Sequence, residues 1–426
     1  MRRKIARSER MYVGEIRTQA LSVCVVRGRV DPDLLDAAFT AVLAEHASLR
    51  SRIEKDGEDF YLSLLEPGEL PRLRVRKNEP GALLQEYNTP LHLGGPLARA
   101  VLMTGSDEDV VIFGVDHAVC DGRSSTAFCH RVWQRYIDIQ AGTYSAPAVP
   151  AQDWPPALDD LLPPRTDAEL DAYVQERLKR AEGAPVASLP YLAARSGAAV
   201  PAEGVMNSRR LRLTESETSG LLAFAKASGV SVNGLVGAAL LAAVRSGLPA
   251  EKADHRLSCF STVDLREQVA HAVGREAMVP TVSWYRDLLD VAADADLVTL
   301  GRRLSDELRA GIRRGDAVLE MQSLDRLLTH PQVWPTSLVL TNVGKIAGPP
   351  SPKGLEIVDM TKFGLSSKWN PQFGEGPLLA SPATIDGRFS IEMPYSAECF
   401  TTEQMDAIHD HVRESLLDCA DRAPKK

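Results

Sequence analysis

Two hydrophobic periods alternate along this chain. Ala20-Leu21-Ser22-Val23-Cys24-Val25-Val26 is a β-branched apolar run that predicts a buried strand. Asp31-Pro32-Asp33 then opens a helix whose apolar positions Leu34, Leu35, Ala38, Phe39, Val42 and Leu43 recur at helical spacing, which gives one buried face. Ser51 to Glu54 and Asp59 to Leu65 flank the turn Lys55-Asp56-Gly57-Glu58, and Leu97 to Met103 and Val110 to Val115 flank Gly105-Ser106-Asp107-Glu108. Both pairs predict hairpins. Ser124 or Ser125 is expected to cap a helix running to about Gln140, with Phe128, Val132, Trp133, Tyr136 and Ile137 on its buried face.

The pattern then breaks. Between Thr143 and Pro164 stand Pro147, Pro150, Pro155, Pro156, Pro163 and Pro164, too many ring-locked residues for a regular element. This stretch reads as a crossover between two halves, residues 1–165 and 166–426. The second half predicts a helix near Asp167 to Ala181, a loop rich in Ala, Gly and Ser, a strand from Arg209 to Leu213, and a capping box Thr214-Glu215-Ser216-Glu217 opening a helix to about Ala227. A further helix follows Ser231. Strands near Leu257 to Val263, Val279 to Ser283, Ser337 to Thr341 and Phe389 to Met393 interleave with helices near Leu297 to Arg313 and Thr402 to Cys419. Interleaved elements in both halves indicate α/β layers.

Composition narrows the class. Hydrophobic content of 44% and charged content of 25% are those of a globular protein, and the formal net charge of -8 argues against a nucleic-acid binder. The six cysteines show no Cys-x-x-Cys and no metal-ligand spacing with the nine histidines, so no metal site is expected and the thiols are read as reduced and buried. The basic start, Met1 to Arg10, has no apolar stretch of leader length after it, and no window approaches the roughly 18 apolar residues of a spanning helix. A cytoplasmic protein without a membrane span is the expectation.

The candidate chemistry lies at the end of the second hairpin. Val115-Asp116-His117-Ala118-Val119-Cys120-Asp121-Gly122 places a histidine where a buried strand ends, four residues ahead of a carboxylate and a glycine. Side chains meet substrates at such positions. Taken alone, the triplet also fits a packed histidine beside an Asp-Gly turn.

Three further segments accompany it: Ser261-Thr262-Val263-Asp264-Leu265-Arg266, Ser337-Leu338-Val339-Leu340-Thr341-Asn342-Val343-Gly344, and Gly387 to Tyr395 ahead of the last helix. In this order, with the HxxxDG of His117, Asp121 and Gly122, the chain resembles the superfamily of chloramphenicol acetyltransferase, plant alcohol acyltransferases and nonribosomal-peptide condensation domains. It looks most like the stand-alone polyketide-associated (phthiocerol dimycocerosyl transferase-like) branch, and the resemblance runs from Ser8-Glu9-Arg10 through His46-Ala47-Ser48-Leu49-Arg50 to the last helix. It implies two chloramphenicol-acetyltransferase-like lobes forming a pseudo-dimer, with the site in a tunnel between them. By position, the resemblance makes His117 the general base, Asp121 the carboxylate that orients its loop, Gly122 the turn residue, Arg266 the ionic partner of Asp121, and Asn342 a residue beside the reacting centre. It also implies an acyl donor held as a thioester on coenzyme A or a phosphopantetheine carrier protein, a small-molecule acceptor, no bound cofactor and a monomer.

Those residue types suit acyl transfer. An alcohol or amine attacking a thioester must lose a proton, and neutral imidazole accepts it near pH 7. Charge then builds on the carbonyl oxygen, for which the Asn342 amide, the Thr341 hydroxyl or a backbone N–H is a candidate donor.

Asp116 stands where many relatives carry a second histidine, and Asp116, Asp121 and Ser124 also fit the DxxxxDxxS of heterocyclisation domains. A catalytically lapsed carrier-docking module is a third reading, against which His117 speaks. Cys120 is expected to pack rather than react. The arginines from Arg302 to Arg314, interrupted by Asp306 and Glu307, are expected to form a mixed-charge face. Trp369 to Gly376 is expected to shape the tunnel floor.

Overall fold

The computed structural model describes residues 2–14, 17–192, 205–269, 271, 273–366 and 375–424. It divides into two compact units. The first comprises Met1–Leu162, Val269–Thr281 and Ala347–Lys368; the second comprises Pro163–Gln268, Val282–Ile346 and Trp369–Lys426. The first boundary falls inside the proline-rich crossover, and two later segments then return to the first unit, a departure from a single cut at residue 165.

The first unit is built on a five-stranded sheet in the order Glu356–Ser366, Thr18–Arg27, Glu108–Asp116, Ala98–Thr104, Arg74–Lys77. The first three strands run antiparallel to their neighbours, and Ala98–Thr104 closes a hairpin with Glu108–Asp116 that sets Ala98 opposite Val115. Helices Pro32–Glu45 and Gly122–Gln140 pack on each other. Phe39, Phe113, Phe128 and Trp133 meet edge-on between helices and sheet. Ser51–Asp56 and Asp59–Leu64 form the other expected hairpin, joined by Arg2–Lys4.

The strand Glu356–Ser366 was not expected from the pattern. A bulge between Ile357 and Asp359 shifts its register, and Lys362 is buried within it, so apolar and polar positions do not alternate.

The second unit holds a seven-stranded sheet whose main path is Val282–Leu289, Leu257–Asp264, Leu338–Leu340, Leu378–Ile385, Arg388–Ser396, Met206–Arg212, with Gly344–Ile346 also pairing with Leu378–Ile385. The Thr214 capping box forms as its spacing predicts: Glu217 N–H donates to Thr214 Oγ1 at 3.2 Å and Thr214 N–H to Glu217 Oε2 at 2.7 Å. Helices Val232–Ser246 and Leu297–Arg314 approach at Gly234 and Gly301, where a Cβ on Gly234 would lie 2.2 Å from the Gly301 carbonyl oxygen. Side chains are excluded there by backbone. Pro382 sits inside Leu378–Ile385, which explains why propensity gave no strand at that position.

Residues 369–374 of the expected tunnel-floor segment lie outside the described residues; Glu375–Gly376 pairs with Leu189–Pro190. Among the described residues no single helix is long and apolar enough to cross a membrane.

Candidate active site

His117 opens a single 3-10 turn, His117–Val119, directly after the Glu108–Asp116 strand. The turn is fixed from its first residue. Asp116 Oδ1 accepts from Ala118 N–H at 3.0 Å, while Asp116 Oδ2 accepts from Arg17 Nε at 3.1 Å and from Arg17 Nη2. Both side chains are buried. Burial pushes the Asp116 carboxyl above its usual range, and the Arg17 guanidinium pulls it back.

Asp121 follows the turn, after Cys120. It is the N-cap of helix Gly122–Gln140, accepting at Oδ1 from Arg123 N–H and Ser124 N–H, both at 3.0 Å, while its own N–H donates to Ser124 Oγ at 2.9 Å. The helix therefore starts earlier than a Ser124 or Ser125 cap would place it; an aspartate ahead of a glycine satisfies the orphan N–H groups first. Asp121 Oδ2 accepts from both Thr281 N–H and Thr281 Oγ1 at 2.9 Å. The strand expected from Val279 accordingly begins at Val282. Gly122 supplies the first helical residue.

The imidazole of His117 is half-buried and lies face to face with Tyr12, with ring centroids 4.0 Å apart and planes inclined by 19°. Its Nδ1 is buried and bonds to no other residue among those described. Burial lowers the His117 pKa below the ordinary histidine value, opposed by its own backbone carbonyl and by Asp121. Burial thus favours the neutral ring, the state a base requires. Nothing in the sequence pattern pointed to Tyr12.

A buried lysine completes the surroundings. Lys362 Nζ donates to Ser125 Oγ at 2.9 Å, in the first turn of the Asp121-capped helix, and to Ser22 Oγ at 3.2 Å. Burial pushes its pKa down to about 8, against the upward pull of Cys129, Cys120, Asp121 and Cys24. Cys120 is fully buried, with Sγ directed to the Val115 carbonyl oxygen at 3.8 Å, so it packs as expected. Cys24 and Cys129 lie with sulfurs 3.8 Å apart as free thiols.

Three candidate residues belong to the second unit. Arg266 Nη1 donates to Asp264 Oδ1 at 3.2 Å. The Asn342 carboxamide shapes a local turn, with Nδ2 donating to Asn233 Oδ1 at 2.8 Å and Oδ1 accepting from Gly344 N–H at 2.7 Å. Thr341 Oγ1 shares a 2.7 Å hydrogen bond with Ser381 Oγ. The arginine-rich helix is a mixed-charge face: Arg309 pairs with Asp306, Arg314 with Asp316, and Arg302 and Arg303 donate to the carbonyls of Ser228 and Leu288.

Two chloramphenicol-acetyltransferase-like lobes, with a histidine on a capped turn at the end of a strand, mark the class as an acyltransferase. The condensation-domain model matches residues 18–246, and the model of the phthiocerol/phthiodiolone dimycocerosyl transferase C-terminus matches residues 202–394. The chain belongs to the condensation-domain family.

Among proteins of similar sequence, a phthiocerol/phthiodiolone dimycocerosyl transferase of Mycobacterium ulcerans is 27% identical over 366 residues, 84% of each chain. That of Mycobacterium leprae is 24% identical over 322 residues, 74% of each. Among solved structures, polyketide synthase associated protein 5 from Mycobacterium tuberculosis superposes with a TM-score of 0.74 at 20% identity, covering 97% of this chain and 98% of that one. Trichothecene 15-O-acetyltransferase from Fusarium sporotrichioides gives 0.73 at 11% identity, covering 98% and 95%.

Proposed function

We propose that this acyltransferase moves an acyl group from a coenzyme A or carrier-protein thioester to a hydroxyl or amine of a small natural-product acceptor, with His117 as general base. The observation that carries the reading is the setting of the His117 ring: at a strand end, on a capped turn, half-buried, with burial favouring its neutral form. Mycobacterial relatives named as dimycocerosyl transferases support transfer of an acyl group.

In this reading His117 takes the proton of the attacking hydroxyl or amine as its heteroatom bonds to the thioester carbonyl carbon. The tetrahedral oxyanion is stabilised by Thr341, Asn342 or a backbone N–H, and collapse expels the thiolate, which recovers the proton from His117. The transfer is direct, with no acyl-enzyme and no bound cofactor. Arg266 offsets the charge of Asp121, as the resemblance implies, and the site lies in a tunnel. Asp116 is engaged by Arg17 and the turn, an arrangement that speaks for a structural role and against the heterocyclisation reading.

The test is turnover of acyl-coenzyme A and acyl-carrier donors against mixed alcohols and amines, read by intact mass, for wild type and His117→Ala. Equal rates would remove His117 as base. Stable labelling of the protein by acyl thioester alone would overturn direct transfer. For the ion pair, a double-mutant cycle of Asp121→Ala and Arg266→Ala should show non-additive loss of soluble yield; full additivity would sink it.

A further inference from the structure

A general base works at full rate only when a third group fixes the direction of its ring. Histidine bases often meet this need through a hydrogen bond at the second ring nitrogen. No neighbouring residue bonds to His117 Nδ1 among the described residues; the ring is engaged there only by its own backbone carbonyl. What touches the imidazole is the face of Tyr12, centroid to centroid at 4.0 Å and 19° from parallel.

Tyr12 is presented by a braced support. Its N–H donates to the Glu9 carbonyl at 3.1 Å, and the short helix Arg7–Arg10 that precedes it packs against the His117–Val119 turn. That helix is pinned twice. Arg3 grips the buried Glu9 carboxylate through Nη1 at 3.0 Å and Nη2 at 2.6 Å, and Ser8 Oγ donates to Asp159 Oδ2 at 2.5 Å. A ring on so fixed a base cannot follow the imidazole; it constrains it.

We propose that Tyr12 is the positioning residue of the catalytic base: its ring fixes the plane of His117 and shields one face from water. The inference rests on the assignment of His117 as base. Shielding also sets the protonation state, since burial is the leading cause of the lowered His117 pKa. The charged or titratable groups that face the ring or its turn within this unit are Asp121, Asp116 with Arg17, Cys120, Glu9 with Arg3, and Lys362 behind the helix start. Tyr12 itself stays neutral, because burial and the nearby Asp121 raise its phenol well above the ordinary range.

The experiment compares Tyr12→Phe, Tyr12→Leu and His117→Ala in the full chain, each first shown to unfold cooperatively like wild type. Two quantities are read: kcat and KM across pH with an acyl-coenzyme A donor, and the His117 ring titration by NMR, assigned by difference from His117→Ala. Tyr12→Phe keeps the stack and should stay within about twofold of wild type in kcat. Tyr12→Leu should lower kcat by about tenfold or more with KM little changed, as expected for a misdirected base. It should also move the His117 titration and the acid limb of kcat/KM upward together.

A Tyr12→Leu protein with wild-type kcat and an unmoved titration overturns the inference. So does an equal loss in Tyr12→Phe, which would assign the effect to the hydroxyl. If His117→Ala keeps the wild-type rate, the base assignment fails instead; the NMR titration of Tyr12→Leu then still decides whether the stack controls the ring.

Discussion

Arg17 and Asp116 form a buried ion pair immediately before the candidate base, with Nε and Oδ2 3.1 Å apart. Removing one member leaves a charge stranded away from water. Arg17→Met should therefore destabilise the protein by about 3–5 kcal/mol. Adding Asp116→Asn to Arg17→Met should restore part of that loss, because the stranded carboxylate is gone. Urea unfolding midpoints of the two single variants and the double variant measure this; a double variant that is simply the sum of the singles would show that the two charges do not interact.

Asp121 carries both the helix start and the Thr281 anchor. In Asp121→Ala the lost cap costs about 0.5–2 kcal/mol. The Thr281 N–H loses its acceptor, for about 1–3 kcal/mol more. Asp121→Asn can still cap through its carbonyl oxygen, so it should be the milder change. Thermal unfolding of the two variants gives the comparison, and equal loss in both would mean that the carboxylate charge, rather than the cap geometry, is what matters.

The pH dependence of His117 has a definite sign. Its folded pKa lies below the ordinary value of 6.5, so at pH under 6.5 the unfolded chain binds the proton more readily and stability falls as the medium is acidified. The stabilising contribution is present in full above 6.5. The slope of unfolding free energy against pH between about 5 and 6.5 should be shallower in His117→Asn than in wild type. An unchanged slope would contradict a lowered His117 pKa. In kcat/KM the acid limb should likewise fall below pH 6.5.

Lys362 behaves oppositely in range but not in direction. With a folded pKa of about 8 against 10.5 for the free side chain, the unfolded chain holds more protons between those values, so stability rises as pH climbs through that window. Below pH 8 the buried charge costs about 3 kcal/mol. Lys362→Met should accordingly be more stable than wild type at pH 7, by an amount that shrinks towards pH 10. Chemical denaturation at the two pH values is the check. A less stable Met variant at pH 7 would show that Ser22, Ser125 and the surrounding thiols compensate the charge.

The sequence pattern located the hairpin end, the His117 turn and the interleaved α/β elements because each rests on local periodicity. The pattern marks Asp121 as an orienting carboxylate but points to Ser124 or Ser125 as the cap; side-chain competition within one turn is decided by which oxygen reaches the N–H groups first. Tyr12, Arg17 and Lys362 were beyond reach for another reason. Each meets its partner only when elements distant in sequence come together: the helix Arg7–Arg10 packs on the His117 turn beside Tyr12, the Glu356–Ser366 ladder carries Lys362 to Ser22, and the ladder of Thr18–Arg27 with Glu108–Asp116 sets Gln19 opposite Asp116, next to Arg17. Periodicity describes faces of single elements, and these contacts are between elements.

The ladder from Glu356 to Ser366 also has a bearing on biosynthesis. The strand Thr18–Arg27 has one neighbour at Glu108–Asp116, and its other edge is covered, among the described residues, by a segment translated more than three hundred residues later. A nascent chain stalled anywhere between them would present an unsatisfied edge to the ribosome's surroundings, a hazard for premature association. The lobe that bears the histidine therefore cannot finish folding as an independent early product, and a stop codon after the proline-rich crossover would yield an aggregating fragment rather than half an enzyme.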